Sequence, residues 1–206
     1  MKSLSKAVMS AVAATVLLLC FVSVSCSVPL ACENLLRPLG QPDLHGLEGR
    51  RAMIAGSLSH LPLMEPLRRR DSATAEFSSN SGESGISFRR SSRSGDNCHY
   101  ASYNVTLKGN SFTFKNDNVT TTFVHTSCHD CILLKFDVES EQRQHFYLFS
   151  KRRQLEEMEI EEFRAQAQCL NLPPPVVMDP TKDLCPEQHS TNPAAQTENK
   201  TETKNN

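Results

Sequence analysis

Between residues 52 and 150 the chain is punctuated at short intervals, and that punctuation constrains its fold more than any other feature. The runs Ala52 to Ala55, Ser72 to Phe77, Gly85 to Arg89, His99 to Leu107, Ser111 to Lys115, Val119 to His125, Ile132 to Val138 and Gln144 to Ser150 are separated by turns such as Lys108-Gly109-Asn110 and Asn116-Asp117-Asn118. The later runs alternate clearly in β-branched and aromatic residues. They read as strands, because such side chains pack on a pleated surface while Gly, Asn, Asp and Ser adopt the backbone angles that reverse a chain. A succession of eight strands leaves exposed edges unless the sheet closes on itself. The expected fold class is all-β, an eight-stranded up-and-down antiparallel barrel, a size whose interior holds one small ligand. A β-sandwich is the alternative that the same pattern allows.

One segment breaks the pattern. From Gln154 to Leu170, the residues Ile160, Phe163, Ala167 and Leu170 recur at spacings of three, four and three, which places them on one face of a helix. The Pro173-Pro174-Pro175 run ends it, since proline lacks a backbone N–H and disfavours helical geometry in the residue before it. The only available partner is the sheet, so one C-terminal α-helix is expected to pack outside the barrel. Its acidic outer face reads as solvent contact.

Lys2 and Lys6, then an apolar run from Ala7 to Val24, then Ser23, Ser25 and Ser27 have the form of a secretory signal. The run is short for a membrane span, and no basic cluster follows it directly. Residues 1–26 are assigned to a signal peptide, 27–187 to a single domain and 188–206 to a disordered polar tail. Secretion makes sense of the cysteines. Six remain once Cys20 and Cys26 are set aside: Cys32, Cys98, Cys128, Cys131, Cys169 and Cys185. They are expected to pair in an oxidising compartment, by connectivities that sequence alone does not choose. Acceptor sequons mark Asn104, Asn118 and Asn199 for glycosylation. A net charge of −1 leaves no footprint for nucleic acid. The expectation is a secreted monomeric glycoprotein, with no stable membrane insertion.

Cys128-His129-Asp130-Cys131 fits a redox pair, half of a soft-metal site or a local disulfide. The pair lies between strands, away from any helix N-terminus that would lower a thiol pKa, and the chain offers no second CXXC or HX₃₋₅H. A disulfide or two separate thiols is the plainer reading. His125 and His129 beside the sulfurs keep a soft-metal or organometal cation as the alternative, and neither metal nor cofactor is assigned. The clusters Arg50-Arg51, Arg68-Arg69-Arg70, Arg89-Arg90 and Lys151-Arg152-Arg153 read as solvated charge, with i,i+4 partners in Arg152–Glu156 and Arg153–Glu157. Arg68 to Arg70 borders the expected barrel mouth, where a role in selecting ligands stays open. Neither Gly-X-Ser-X-Gly, HEXXH nor a phosphate loop is present, so no catalytic residue is assigned and the chain is not expected to be an enzyme. A free thiol inside the barrel would argue otherwise.

Several stretches carry a family resemblance: Cys32-Glu33-Asn34-Leu35 with Pro38, Leu47-Glu48-Gly49-Arg50, Cys98-His99-Tyr100, Leu134 to Val138, Glu161 to Gln166, and Pro173 to Lys182. Together they resemble the orosomucoid (alpha-1-acid glycoprotein) group of secreted lipocalins from about Cys32 to Cys185, and most closely its fish members that bind saxitoxin, tetrodotoxin or tributyltin in plasma. Apolipoprotein M is a more distant likeness. Lipocalins usually carry Gly-X-Trp in the first strand, the indole closing one barrel end; the triplet here is Gly49-Arg50-Arg51, and the chain contains no Trp. That end must be closed differently or stay looser.

The resemblance implies Cys32–Cys169 and Cys98–Cys185 disulfides. It places Tyr147 and Phe149 at ligand-contacting positions and turns Leu134, Phe136, Phe112 and Phe114 inward, although the same side chains also suit ordinary barrel filling. The implied function is a plasma carrier that reversibly binds a small hydrophobic or amphipathic molecule. An acute-phase or immunomodulatory surface-binding glycoprotein and an apolipoprotein M-like lipid carrier are the alternatives.

Overall fold

The computed structural model describes residues 28–79, 86–114, 119–139 and 142–188. The expected signal peptide, Asn118, Asn199 and the tail beyond Gln188 lie outside them. In chain order the elements are α1 (Val28–Leu35), α2 (Leu44–Leu47), β1 (Gly49–Leu58), α3 (Leu61–Arg68), β2 (Ser72–Ser79), β3 (Ile86–Ser94), β4 (Asn97–Lys108), β5 (Ser111–Phe114), β6 (Val119–Val124), β7 (Cys131–Val138), β8 (Arg143–Ser150), α4 (Glu157–Cys169) and β9 (Val176–Val177).

Strands β2 to β8 pair antiparallel in sequence order, β8 pairs β1, and β1 pairs back to β2 from Gly49↔Phe77 to Ala52↔Thr74. This closes an eight-stranded up-and-down barrel, the lipocalin fold. β1 then leaves β2, and β9 takes its place along Ala55 and Gly56. A register shift between Met53 and Ala55 bends β1 at that point, as a bulge does. It also lets Ile54 and Ala55 both belong to the outer cluster.

Alternation divides the apolar residues into two cores. One fills the barrel and contains Phe77, Phe88, Phe112, Phe123, Leu134 and Phe149 among others. The other lies outside, where Ile160, Phe163 and Ala167 of α4 cover Ile54, Ala55, Phe146 and Leu148. Phe163 stacks on Phe146 with ring centroids 5.1 Å apart. Burying one such ring contributes about 2–3 kcal/mol. The helix starts at Glu157 behind a capping box in which Glu156 and Glu159 each satisfy the other's backbone N–H. Gln166 Nε2 donates to Leu35 O and His125 O, both at 2.8 Å, and Cys32–Cys169 joins α1 to the helix end with a Cα–Cα distance of 5.4 Å.

Two expectations need correction. The pairs Arg152–Glu156 and Arg153–Glu157 do not form, because residues 151–154 precede the helix and lack its spacing. Arg152 instead bridges Asp130 at 2.8 Å and Glu159 at 2.7 Å, and Arg153 donates to Lys182 O. The chain also has helices besides α4. α3 forms across Leu61–Arg68 in spite of Pro66, since Pro62 suits a helix start and buried Met64 and Leu67 anchor it over the barrel mouth.

The closed end shows what replaces the indole. Arg51 points into the barrel, is only 4% exposed, and donates from Nη1 to Leu47 O at 2.6 Å and from Nη2 to Gly46 O at 2.5 Å. Its fork binds the carbonyls at the end of α2 and so ties that cap across the barrel floor. Burial lowers its pKa from an ordinary arginine value. Arg51→Met is expected to cost about 2–3 kcal/mol in urea denaturation, because the carbonyls lose a charged donor that methionine cannot replace.

Candidate functional site

Register settles which residues line the barrel. Tyr147 and Phe149 of β8 stand beside Leu134 and Ile132 of β7 on one side and Gly56 and Met53 of β1 on the other. Phe136 stands opposite Thr121, which in turn stands opposite Phe112. All six residues carried over from the family resemblance, Phe112, Phe114, Leu134, Phe136, Tyr147 and Phe149, are buried members of the interior cluster. The rings touch one another: Phe114–Phe136 centroids are 6.3 Å apart and Phe136–Tyr147 5.7 Å. Tyr147 lies so close over Gly56 that a Cβ there would sit 2.7 Å from the ring. Only glycine leaves that space.

Above the rings is a cavity of about 150 Å³ whose walls include Met53, Arg70, Ala73, Arg90, Tyr103 and Phe149. Met64 and Leu67 of α3 turn down from the mouth into the same interior, with Met64 Sδ accepting from Leu58 N at 3.3 Å. A larger groove of about 470 Å³ lies between Pro186–Gln188 and strands β2 to β4, lined by Arg50, Glu76, Arg89 and Tyr100. Its walls are mostly polar, and two of its arginines are already paired, Arg89 with Glu76 at 2.9 Å and Arg50 with Glu187 at 3.4 Å, while Arg90 borders both this groove and the cavity.

The reading of Arg89-Arg90 as solvated charge holds only for Arg89. Adjacent strand residues point to opposite faces. Arg90 pairs in register with Ala75 and Ala101, follows the inward Phe88 by two positions, and lines the cavity. That signal was present in the spacing of Phe88 and Arg90 once Phe88 is known to face inward. Arg70 lines the cavity from the segment after α3. Neither Arg70 nor Arg90 has a carboxylate partner among the described residues. Burial lowers the Arg70 pKa, with Arg90 adding to the effect. Burial raises the Tyr147 phenol, opposed by Arg90 and Arg70. Burial first, then the charges of Arg90, Arg143 and His60, pull His145 down from 6.5 to about 4, so its imidazole is neutral at neutral pH.

Disulfides join Cys32 to Cys169, Cys98 to Cys185 and Cys128 to Cys131. The described interior therefore carries no thiol nucleophile. At Cys128–Cys131 the sulfurs are bonded to each other, and Asp130 is held by Arg152, which lowers its carboxyl to about 2. His125 Nε2 is engaged by Arg37 at 2.7 Å. Three of the four donors of the alternative metal site, the two sulfurs and His125, are thus committed elsewhere. Asn104 is exposed on β4, as an acceptor asparagine must be.

Residues 71–188 match the family model of the ApoM domain. The chain belongs to the ApoM domain family. The matched span runs from the start of β2 through the strap after α4 and takes in most of the ApoM-domain barrel. Among solved structures, this ApoM-domain chain is similar to "The Siderocalin Ex-FABP functions through dual ligand specificities", with a TM-score of 0.60, 14% identity, and 72% of this chain and 99% of that one covered. It is similar also to lipocalin 12 from rat epididymis, with a TM-score of 0.60, 17% identity, and coverage of 72% and 91%. At such identities the likeness shows the fold alone. The curated proteins contain no match to this chain.

The buried neutral imidazole gives the ApoM-domain barrel a pH dependence. His145 binds a proton more readily in the unfolded chain, whose pKa is near 6.5, than in the folded one, where it is about 4. The unfolded state therefore takes up more protons in that window, and stability falls as pH drops through it. Thermal melts at steps from pH 7 to 4 are expected to show this loss for the native chain and a smaller one for His145→Gln. Loss of the Asp130–Arg152 pair belongs to lower pH, between 3.8 and about 2, as the depressed carboxylate takes up its proton.

Proposed function

We propose that this chain is a secreted carrier that reversibly binds a small amphipathic molecule with an anionic head. The apolar body lies among Phe114, Phe136, Tyr147 and Phe149, and the head meets Arg70 and Arg90 beneath α3. The observation that carries the reading is two guanidinium groups lining an aromatic-floored cavity with no carboxylate partner among the described residues. Leaving such cations half-desolvated and unpaired costs free energy, which an anionic ligand would offset. Tyr147 adds a phenol at the level of the head.

Three disulfides and the N-terminal signal pattern support extracellular use. The siderocalin named above is described as having dual ligand specificities, which fits a barrel that accommodates more than one chemistry. The orosomucoid resemblance supports a plasma carrier. Its toxin ligands fit less well: saxitoxin and tetrodotoxin are guanidinium cations, and Arg70 and Arg90 would repel them, while tributyltin would find no free thiolate in the described interior. The cavity of about 150 Å³ is smaller than a drug-sized ligand needs, so the cargo must lift α3 or part the rings on the way in.

Calorimetric titration with a long-chain fatty acid and with the alcohol of the same length tests the reading. The acid is expected to bind well below millimolar, and Arg70→Ala and Arg90→Ala each to weaken it about tenfold, some 1.4 kcal/mol, with little effect on the alcohol. If no anionic amphiphile binds more tightly than about millimolar, the carrier reading is wrong.

A further inference from the structure

The barrel interior holds a polar group that the head site does not use. On β6 the inward positions are Val119, Thr121 and Phe123, so Thr121 is the only one of the three with a hydroxyl. Its neighbours across the strands are Phe112 and Phe136. It is 0% exposed, and its Oγ1 has no hydrogen-bond partner among the described residues. Along the same cross-strand row, Phe136 stands opposite His145, whose Nε2 is also buried and unpartnered. Tyr147 packs on this group from the next inward position of β8, its ring 5.7 Å from Phe136 and 6.1 Å from His145.

Buried polar atoms in folded proteins almost always find a partner, because leaving one unmade forfeits its hydrogen bond to water with nothing in return. Valine has nearly the shape of threonine and would fill this place without that cost. Other hydroxyls buried in the barrel wall do have partners: Thr74 meets Ser91 at 2.6 Å, and Ser57 donates to Pro173 O at 2.6 Å. A stability cost kept inside the barrel, in the same interior as the cavity, points to a use in the liganded state.

We infer that Thr121 is a specificity-determining residue that hydrogen-bonds a hydroxyl, carbonyl or amide group on the ligand's apolar body, with His145 facing the same band of the barrel. The cargo is then a functionalised amphiphile, one that carries a second polar group partway along its length. Such a ligand satisfies the Thr121 hydroxyl, which a plain hydrocarbon chain would leave buried and unpaired. Thr121 is fully buried with Phe112 and Phe136 on either side, so the ligand body displaces neighbouring side chains as it enters, and the exchange turns a buried hydroxyl into a paired contact. The inference rests on the carrier reading but makes a separate demand on it.

The test compares stearate with a series of its mono-hydroxylated isomers on the full chain and on Thr121→Val and Thr121→Ser. The native chain is expected to bind at least one hydroxylated isomer three- to tenfold more tightly than stearate. Thr121→Val should lose that preference while keeping its stearate affinity, and should melt at a higher temperature, since the unpaired hydroxyl is gone. Thr121→Ser should keep the preference. If stearate binds and no isomer is preferred, or if Thr121→Val keeps the preference, the inference is overturned and the carrier reading stands. If neither stearate nor any isomer binds, both fall.

Discussion

Everything in this molecule depends on β1 being paired along both edges. Gly49 to Ala52 are bonded to β2 and Ala52 to Leu58 to β8, which turns a meander into a closed surface with no free edge between first strand and last. The same strand then serves three compartments. Arg51 reaches the floor, Met53 and Gly56 face the cavity, and Ile54 and Ala55 carry the outer helix. The register shift between Met53 and Ala55 is what lets one strand do this, because strict alternation would have turned Ile54 and Ala55 to opposite faces. β9 seals the stretch where β2 has departed, and Cys98–Cys185 holds the strap beyond it to β4.

Arginine plays opposite parts at the two ends of this barrel. Arg51 is almost completely buried but points both terminal nitrogens at carbonyl oxygens, so the charge becomes a structural clamp. Arg90 and Arg70 are less buried, yet they stand among aromatic rings and each other with no counter-charge among the described residues. Burial of a charge is tolerated where partners are fixed, and it is a standing demand for a partner where they are not. That contrast separates the closed floor from the working mouth more clearly than shape does, since rings fill most of the volume between them.

The helix α4 belongs to the supporting structure. It covers Phe146 and Leu148, the outward neighbours of Tyr147 on β8, so the inward orientation of Tyr147 is held from behind. Glu159 at its start completes the Asp130–Arg152 ion pairing, and Glu162 accepts from Ser127 N at 3.0 Å, which fixes the loop holding Cys128–Cys131. The disulfide there is one tie among several in a turn, and the acidic face that might have suggested chemistry is spent on capping and on neighbouring loops.

The chain's own sequence determined the eight barrel strands, their order, the outer helix and which residues share a face, as Tyr147 does with Phe149, whereas the inward direction of Phe112, Phe114, Leu134, Phe136, Tyr147 and Phe149 came from the family resemblance. The strands, the helix and the shared faces follow from local periodicity and turn chemistry, which short segments express by themselves. Tertiary structure alone decided what the arginines do. Arg50-Arg51, Arg89-Arg90 and Arg68-Arg69-Arg70 look alike as sequence, and whether a member becomes a floor clamp, an outer ion pair or a cavity wall depends on which face its strand presents and which carbonyl or carboxylate arrives from far along the chain. The same holds for the three partners of Arg152 and Arg153, and for the empty place opposite the Thr121 hydroxyl: a missing partner is a property of the assembled interior, and no local pattern encodes it.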